Sequence, residues 1–443
     1  MIDKLKPSGV EGFGEIPDDW EVNKMAFTFS FGKGLSITKE DLQDEGIPSI
    51  TYGDIHSRFG FQINPEEDEV RCVDPRYMKS ARNSLLRYGD FIFADTSEDI
   101  AGSGNFTHFN SHAPAFAGYH TITARAKREV DVRFVAYLFD SEPFRNQIRN
   151  SVSGVKVFSI TQTILKSAKL LLPPLSEQRD ISVLLDDRCG QVDGIIADLE
   201  RQVDMLRKYK KALITETVTK GLDKSVPMKD SGVEWIGEIP KHWDIKRLKY
   251  GLSEPLQYGA NESGDEFDER YPRYIRITDI TMDNALKDEG KLSLFPTVAK
   301  PYLLKDGDVL FARSGATVGK SFYYDESYGV AAFAGYLIKA RTNRRMLMPR
   351  YLYYITLGSG YETWKDQVFS QATIQNIGAD KYSQLLITIP PTTEQEFITV
   401  YLDSKCAEAD TLVAEKMRSI ETMRQYKRSL IYEYVTGKKR VAH

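Results

Sequence analysis

The chain repeats itself at long range, and this constrains its fold more than any other feature. Ser8-Gly9-Val10-Glu11, followed by Gly14-Glu15-Ile16-Pro17 and Trp20, returns as Ser231-Gly232-Val233-Glu234, Gly237-Glu238-Ile239-Pro240 and Trp243. Later markers return in the same order: Phe116-Ala117-Gly118-Tyr119 as Phe333-Ala334-Gly335-Tyr336, Pro173-Pro174 as Pro390-Pro391, Glu177-Gln178 as Glu394-Gln395, and Tyr209-Lys210 as Tyr426-Lys427. A period this long is not that of a solenoid, whose repeats run to about 20–50 residues. It describes a duplicated domain with a trailing segment, suited to binding something at two places.

Each half of the 443 residues is long enough to bury its own core. A hydrophobic content of 41% and a charged content of 28% fit an ordinary globular protein. No apolar run approaches a membrane span, and the opening MIDKLKPSGV lacks the apolar stretch of a signal peptide, so the expected location is cytoplasmic, with no membrane partner. Cys72, Cys189 and Cys406 form no CxxC pair, which argues against a disulfide framework or zinc knuckle. Cys189 and Cys406 are repeat mates, which points to packing. The formal charge of -4 supplies no global basic signature for nucleic acid, so local charge carries that question.

In each half a stretch of mixed character precedes a long helical tract. Asp90-Phe91-Ile92-Phe93-Ala94 and Asp308-Val309-Leu310-Phe311-Ala312 read as strands behind Gly-Asp turns, and residues 132–138 and 349–354 read as the openings of helices. The domains are therefore α+β. In the first helical tract Leu185, Val192, Leu199, Leu206 and Leu213 fall seven apart, with Cys189, Ile196 and Val203 between them, a coiled-coil seam. The second repeats it with Leu402, Ala409, Met423 and Leu430, interleaved by Cys406, Val413 and Ile420, and places Lys416 at one seam position as a weak point. Pro173-Pro174 and Pro390-Pro391 bar an earlier start, and Ser176 and Thr393 are the expected N-caps, Thr393 with Glu396 as a capping box. The expected division is thus residues 1–175 and 221–392 as domains, and 176–220 and 393–443 as helices.

Charge sets the direction of pairing. The first tract is acid-rich early (Asp180, Asp186, Asp187, Asp193) and basic late (Arg207, Lys208, Lys210, Lys211); the second runs from Glu394, Glu396, Asp403 and Asp410 to Arg424, Lys427 and Arg428. Parallel helices would match like charges, whereas antiparallel helices set each acidic half beside a basic one. The expected architecture is two domains at opposite ends of an antiparallel rod. The segment near Ser8 then lies close to Val435, as Ser231 lies close to Val218.

These features together resemble the specificity subunit of type I restriction-modification enzymes, over essentially the full chain. The resemblance is carried by the Ser-Gly-Val-Glu-Trp-Ile-Gly-Glu-Ile-Pro-Lys-His-Trp segment at 231–243 and its degenerate copy at 8–20, by Phe-Ala-Arg-Ser-Gly-Ala-Thr-Val-Gly-Lys at 311–320, and by the Pro-Pro-Leu-Ser-Glu-Gln and Pro-Pro-Thr-Thr-Glu-Gln runs at 173–178 and 390–395. It implies two target-recognition domains, each reading one half of a split site on double-stranded DNA. It also implies paired helices that fix the spacer and dock two methyltransferase subunits, with restriction/translocase subunits joining the complex. The first half departs from the pattern, with Phe93-Ala94-Asp95-Thr96-Ser97-Glu98-Asp99 standing where the second has the Arg-Ser-Gly-Ala-Thr-Val-Gly-Lys run at 313–320, so the two half-sites are expected to differ.

The candidate DNA contacts follow from side-chain chemistry. The Gly315–Lys320 loop has one residue too few between its glycines for a P-loop, but its backbone NH groups, with Arg313, Ser314, Thr317 and Lys320, could hold a DNA phosphate; a structural turn accounts for it equally well. The repeat mates at 153–162 and 370–377 offer Lys156, Ser159, Thr161 and Gln162, and Gln371, Thr373, Gln375 and Asn376, amides suited to adenine and hydroxyls suited to phosphate, although a polar loop before a strand reads the same way. Arg276, Tyr52 and His56 are further candidates. His108, His112 and His120 cluster in sequence, but intervening Asn110, Ser111 and Pro114 deny them a shared helical face, and no metal or other cofactor is expected. No Asn/Asp-Pro-Pro-aromatic motif, nuclease cluster or nucleophile elbow is present, so the chain reads as a non-catalytic targeting subunit. The rival reading is a two-headed protein-binding scaffold without direct DNA recognition, which the net acidity favours.

Overall fold

The computed structural model describes residues 4–154, 156–281, 284–315, 317–370 and 376–441. The chain divides into two compact units, residues 1–198 with 419–443, and residues 199–418. Each unit holds one α+β domain and a stretch of both long helices, which span Leu175–Lys220 and Thr392–Val435.

In the first unit a five-stranded sheet runs in the order Phe29–Lys33, Thr121–Ala126, Phe91–Ala94, Phe106–Phe109, Gln62–Ile63. The strand Phe91–Ala94 is buried on both faces, which is why it is a continuous apolar run and not an alternating one. It pairs antiparallel with Thr121–Ala126, Phe91 opposite Ala124. Phe91, Phe93, Phe106 and Phe139 stack edge-on or tilted against one another, and the helix Val132–Asp140 closes this core. A three-stranded sheet runs in the order Phe116–Ala117, Ile47–Ile50, Cys72–Val73.

The second unit repeats the plan with two four-stranded sheets. One runs Gln257–Tyr258, Leu337–Ala340, Val309–Ala312, Ser321–Tyr323; the other runs Asp265–Glu266, Leu292–Ser293, Arg273–Ile275, Ala331–Phe333. Val309–Ala312 is again wholly buried and pairs antiparallel with Leu337–Ala340. A strand near the start of each domain pairs with the strand that precedes its long helix: Glu21–Lys24 with Lys169–Leu172, and Asp244–Arg247 with Leu386–Ile389. The two ends of each domain are thereby held together.

The two copies share their polar scaffold. Buried Asp90 receives Arg125 through Nε and a terminal nitrogen at 2.8 and 2.6 Å and the Arg87 amide at 2.8 Å. Asp308 receives Arg341 at 2.8 and 2.7 Å and the Lys305 amide at 2.8 Å. Both carboxylates are 1% exposed, and the bidentate pair with a third donor satisfies charges that would otherwise be costly to bury.

The long helices begin one residue earlier than the caps assigned from sequence. The amides of Gln178 and Gln395 donate to the carbonyls of Pro174 and Pro391, each at 3.0 Å, so the prolines occupy the cap and Ser176 and Thr393 lie inside the first turn, not at N-caps. The physical reason is that a cap residue contributes only its carbonyl to the ladder, so a proline without an NH loses nothing there. Gln178 and Gln395, almost fully buried, then act as clamps. Gln178 accepts from the Asp131 amide at 2.9 Å and donates to the Pro173 carbonyl at 2.8 Å; Gln395 accepts from the Met348 amide and donates to the Pro390 carbonyl, both at 2.8 Å.

Within each unit the helices run antiparallel. In the first, Lys427 reaches Asp193 at 2.7 Å; in the second, Lys210 reaches Asp410 at 2.6 Å, the same pair made by repeat mates with the roles of the helices exchanged. Lys416, the expected weak point, donates to Gln202 at 2.6 Å, so the seam position is polar but satisfied. Of the seam residues, Leu185, Val192, Val203, Leu402, Ile420 and Leu430 are buried and Ile196, Leu199, Leu206, Leu213, Val413 and Met423 are half-buried. Cys189 and Cys406 are buried free thiols in the two cores, and burial pushes Cys189 up to about 11. Lys438 donates to the Glu15 carbonyl at 2.7 Å, joining the early segment to the end of the second helix, and Val218 shares a core with Ile239 and Trp243. Among the described residues no helix is long and apolar enough to cross a membrane.

Candidate nucleic-acid interface

The same backbone crossing builds the polar surface of both domains. In the first unit the chain leaves the central strand at Ala94, and the Asp95 amide donates to the His120 carbonyl at 3.0 Å while the Asp95 carbonyl accepts from the Ile160 amide at 2.8 Å. In the second, the Arg313 amide donates to the Tyr336 carbonyl at 3.0 Å and its carbonyl accepts from the Ile377 amide at 2.9 Å. Residues 95 and 313 therefore stand at one structural position, where three loops meet. Ile160 and Ile377 are buried and fix the third loop in each copy.

Around Asp95 the surface is concave. A cleft of ≈ 830 Å³ is lined by Tyr52, His56, Thr96, Glu98, Asp99, Asn105, His120 and Val157. His56 is locked, its Nε2 2.8 Å from the Thr96 carbonyl and its Nδ1 2.8 Å from the Asn105 amide nitrogen. Tyr52 packs its ring against His56, Tyr119 and His120. His120, at a positive φ of 55°, brings Nδ1 to 3.1 Å from Asp95. A second cleft of ≈ 550 Å³ holds Asp95 with Ser159, Thr161 and Gln162. Ser159 is exposed on a short strand paired with Thr96, whereas Thr161 caps the helix Gln162–Ser167 and Gln162 donates to the Gly32 carbonyl at 3.0 Å. Lys156 is exposed beside them in the chain.

In the second unit Arg313 lays its guanidinium over the Tyr258 ring, 5.0 Å from the centroid, and Tyr258 is itself anchored by accepting from the Ala379 amide at 2.9 Å. Ser314 and Asn376 form an antiparallel bridge. Arg313 Nε and Asn376 Oδ1 are buried and find no hydrogen-bond partner among the described residues. Gln371, Thr373 and Gln375 lie outside the described residues.

In the loop that follows, three amides are taken up by the loop itself. The amides of Val318, Gly319 and Lys320 donate to the carbonyls of Gly315, Thr317 and Ala312 within the loop itself, Val318 to Gly315 at 3.0 Å, Gly319 to Ala312 at 2.8 Å and Lys320 to Thr317 at 3.0 Å. A strand, Ser321–Tyr323, follows it where a P-loop needs a helix. Lys320 Nζ donates to the Thr281 carbonyl at 3.0 Å, and Thr317 is half-buried. Arg276 is likewise engaged, holding Asp279 at 2.7 Å and the Gly290 carbonyl at 2.8 Å as part of a short cap. These cations serve the loops' own structure.

The three histidines go to different places. His120 meets Asp95, His112 stacks on Tyr88 at 4.8 Å, and His108 is buried against Phe91 at 5.3 Å. Among the described residues no group of three metal-type side chains comes together. Burial pushes His108 down to about 4, and neither ring nitrogen has a described partner.

Asp95, His120 and Tyr258 were not among the candidates chosen from sequence. The divergence of residues 95–99 from 313–317 was visible, and aligning the two copies on their Gly-Asp-strand segments would have put Asp95 opposite Arg313. Tyr258 carries no local signal, because a strand of two residues brings it under Arg313.

Two related α+β domains, with antiparallel long helices inside each unit and side chains of opposite charge at one repeated position, describe a protein with two binding domains. Comparison with known proteins gives the family. Residues 17–200 and 263–422 match the type I restriction modification DNA specificity domain, and the chain belongs to that family. It is 26% identical over 455 residues to a putative type I restriction enzyme MjaX specificity subunit from Methanocaldococcus jannaschii, covering 97% of this chain and 95% of that one. It is 21% identical over 438 residues to the StySPI specificity subunit of Salmonella potsdam, covering 96% and 90%. A solved chain from work on complex assembly and conformational transition of the type I R-M system shares its fold, with a TM-score of 0.68 at 18% identity over 96% of this chain and 99% of that one.

Proposed function

We propose that the chain is the DNA sequence-specificity subunit of a type I restriction-modification enzyme. Its two recognition domains, residues 1–175 and 221–392, each read one half of a bipartite site, and the paired helices set the gap and dock methyltransferase subunits. The observation that carries this reading is family membership spanning both copies, together with relatives named as specificity subunits along nearly their full length. The chemistry of methylation and cleavage belongs to partners, two methyltransferase subunits and the restriction/translocase subunits, and the chain itself is non-catalytic. A cytoplasmic location goes with that role.

The test is binding of duplex DNA by the chain together with its methyltransferase subunit as salt is raised. Contacts to phosphates release counterions, so affinity falls linearly on logarithmic axes, by about 10³-fold or more between 50 and 200 mM salt for six or more contacts. A complex that shows no salt-dependent shift of DNA would favour the protein-binding scaffold.

A further inference from the structure

The two copies act as their own comparison, and they agree almost everywhere that the scaffold needs them to. The carboxylate–arginine pairs Asp90–Arg125 and Asp308–Arg341 are the same, as are the buried glutamines Gln178 and Gln395 and the indole-to-carboxylate bonds Trp20–Glu177 and Trp243–Glu394 at 3.2 and 3.0 Å. Residues 95 and 313, held by the same two backbone bonds, differ by a full reversal of charge. Every half-site presents the same negative backbone, so a position that contacts phosphate has no reason to change sign between copies. Base edges do differ, and both acidic and basic side chains read them.

The side chains are prepared for such a contact. The Arg313 guanidinium is oriented in advance by the Tyr258 face, 5.0 Å from the ring centroid. Guanine offers two acceptors on one edge, O6 and N7, in the spacing of an arginine fork. Asp95 is held through one oxygen by His120, and its side chain is a third exposed. A carboxylate near DNA is tolerable where an exocyclic amino group donates to it, as cytosine N4 does.

Resting on the function proposed above, we propose that positions 95 and 313 are the specificity-determining pair that gives the two half-sites different sequences. Arg313 reads a guanine in one half-site, and Asp95, steadied by His120, reads a base that presents an amino group in the other. The remaining cleft residues shape the approach, with Tyr258 and His120 as positioning residues.

The experiment uses the chain assembled with its methyltransferase on a duplex library randomised around the site, with methylated products sequenced. Arg313→Gln is expected to relax one guanine of one half-site by about 10- to 100-fold in discrimination, leaving the other half-site and the gap unchanged. Asp95→Asn is expected to relax a single position of the other half-site. Arg313→Lys keeps the positive charge and serves if the glutamine variant does not fold; it loses the bidentate fork and is expected to relax the same guanine. Unchanged base preference in a folded Arg313→Lys or Arg313→Gln assembly, or a loss spread evenly over all sequences, would overturn the assignment in favour of a structural or phosphate-contacting role. Failure of the unmutated assembly to select any two-part site is a separate result, which would remove the underlying function and not this assignment alone.

Discussion

At the scale of single residues, polar groups in this chain divide into those that hold the fold and those left to meet something else. Asp90, Asp308, Gln178 and Gln395 have their hydrogen bonds completed inside the protein, whereas Arg313 Nε and Asn376 Oδ1 find no partner among the described residues. His108, in the core of the first unit, is one of several buried groups there without a partner among the described residues. With its folded-state value pushed down to about 4 by burial, it is neutral when folded and takes up a proton more readily when unfolded. The unfolded state therefore binds more protons below pH 6.5, and stability is full above that pH and falls as pH drops toward 4, by about 1.4 kcal/mol per pH unit. His108→Phe should flatten this part of the stability–pH curve, measured by denaturant unfolding between pH 4 and 7. An unchanged slope in the variant would place the dependence elsewhere.

At the scale of elements, the long helices were legible because their information is local and periodic: seven-residue spacing, proline starts and a charge gradient that only antiparallel pairing satisfies. Their first turns were misassigned because serine and threonine are good caps in isolation, while here the proline carbonyls cap and the following glutamines serve the neighbouring domain. The clefts were the least legible. Residues 52–57, 95–105, 119–121 and 157–162 are far apart in sequence and meet only in the folded domain, so no single sequence window shows them as one surface. For Lys320 and Arg276 sequence shows the charge but not the carbonyls and carboxylate they also hold. Within the first helix, Gly190 and Gly194 stand in mid-helix with nothing within 4 Å of where a Cβ would sit. Replacing each by alanine should stabilise the free chain by about 0.8–1 kcal/mol apiece, since alanine costs less backbone entropy in a helix. Thermal unfolding checks this; a destabilised Gly190→Ala chain would mean that the helix surface there is covered.

At the scale of the whole molecule, both long helices contribute residues to both units, and the function proposed above makes helix length the means of setting the gap between two half-sites. Removing one heptad from each helix in register should shorten it by about 10 Å, and the selected gap by roughly three base pairs at ~3.4 Å each. A folded variant that still selects the original gap would separate helix length from spacing. Duplication supplies two reading surfaces from one design, and divergence at position 95/313 lets them read different bases. The most direct measurement is to sequence the methylated positions across a genome in cells that carry this chain with its methyltransferase. The expected result is two short, unlike half-sites separated by a constant stretch in which any base is accepted. A single uninterrupted motif, or methylation indifferent to the presence of this chain, would contradict the account.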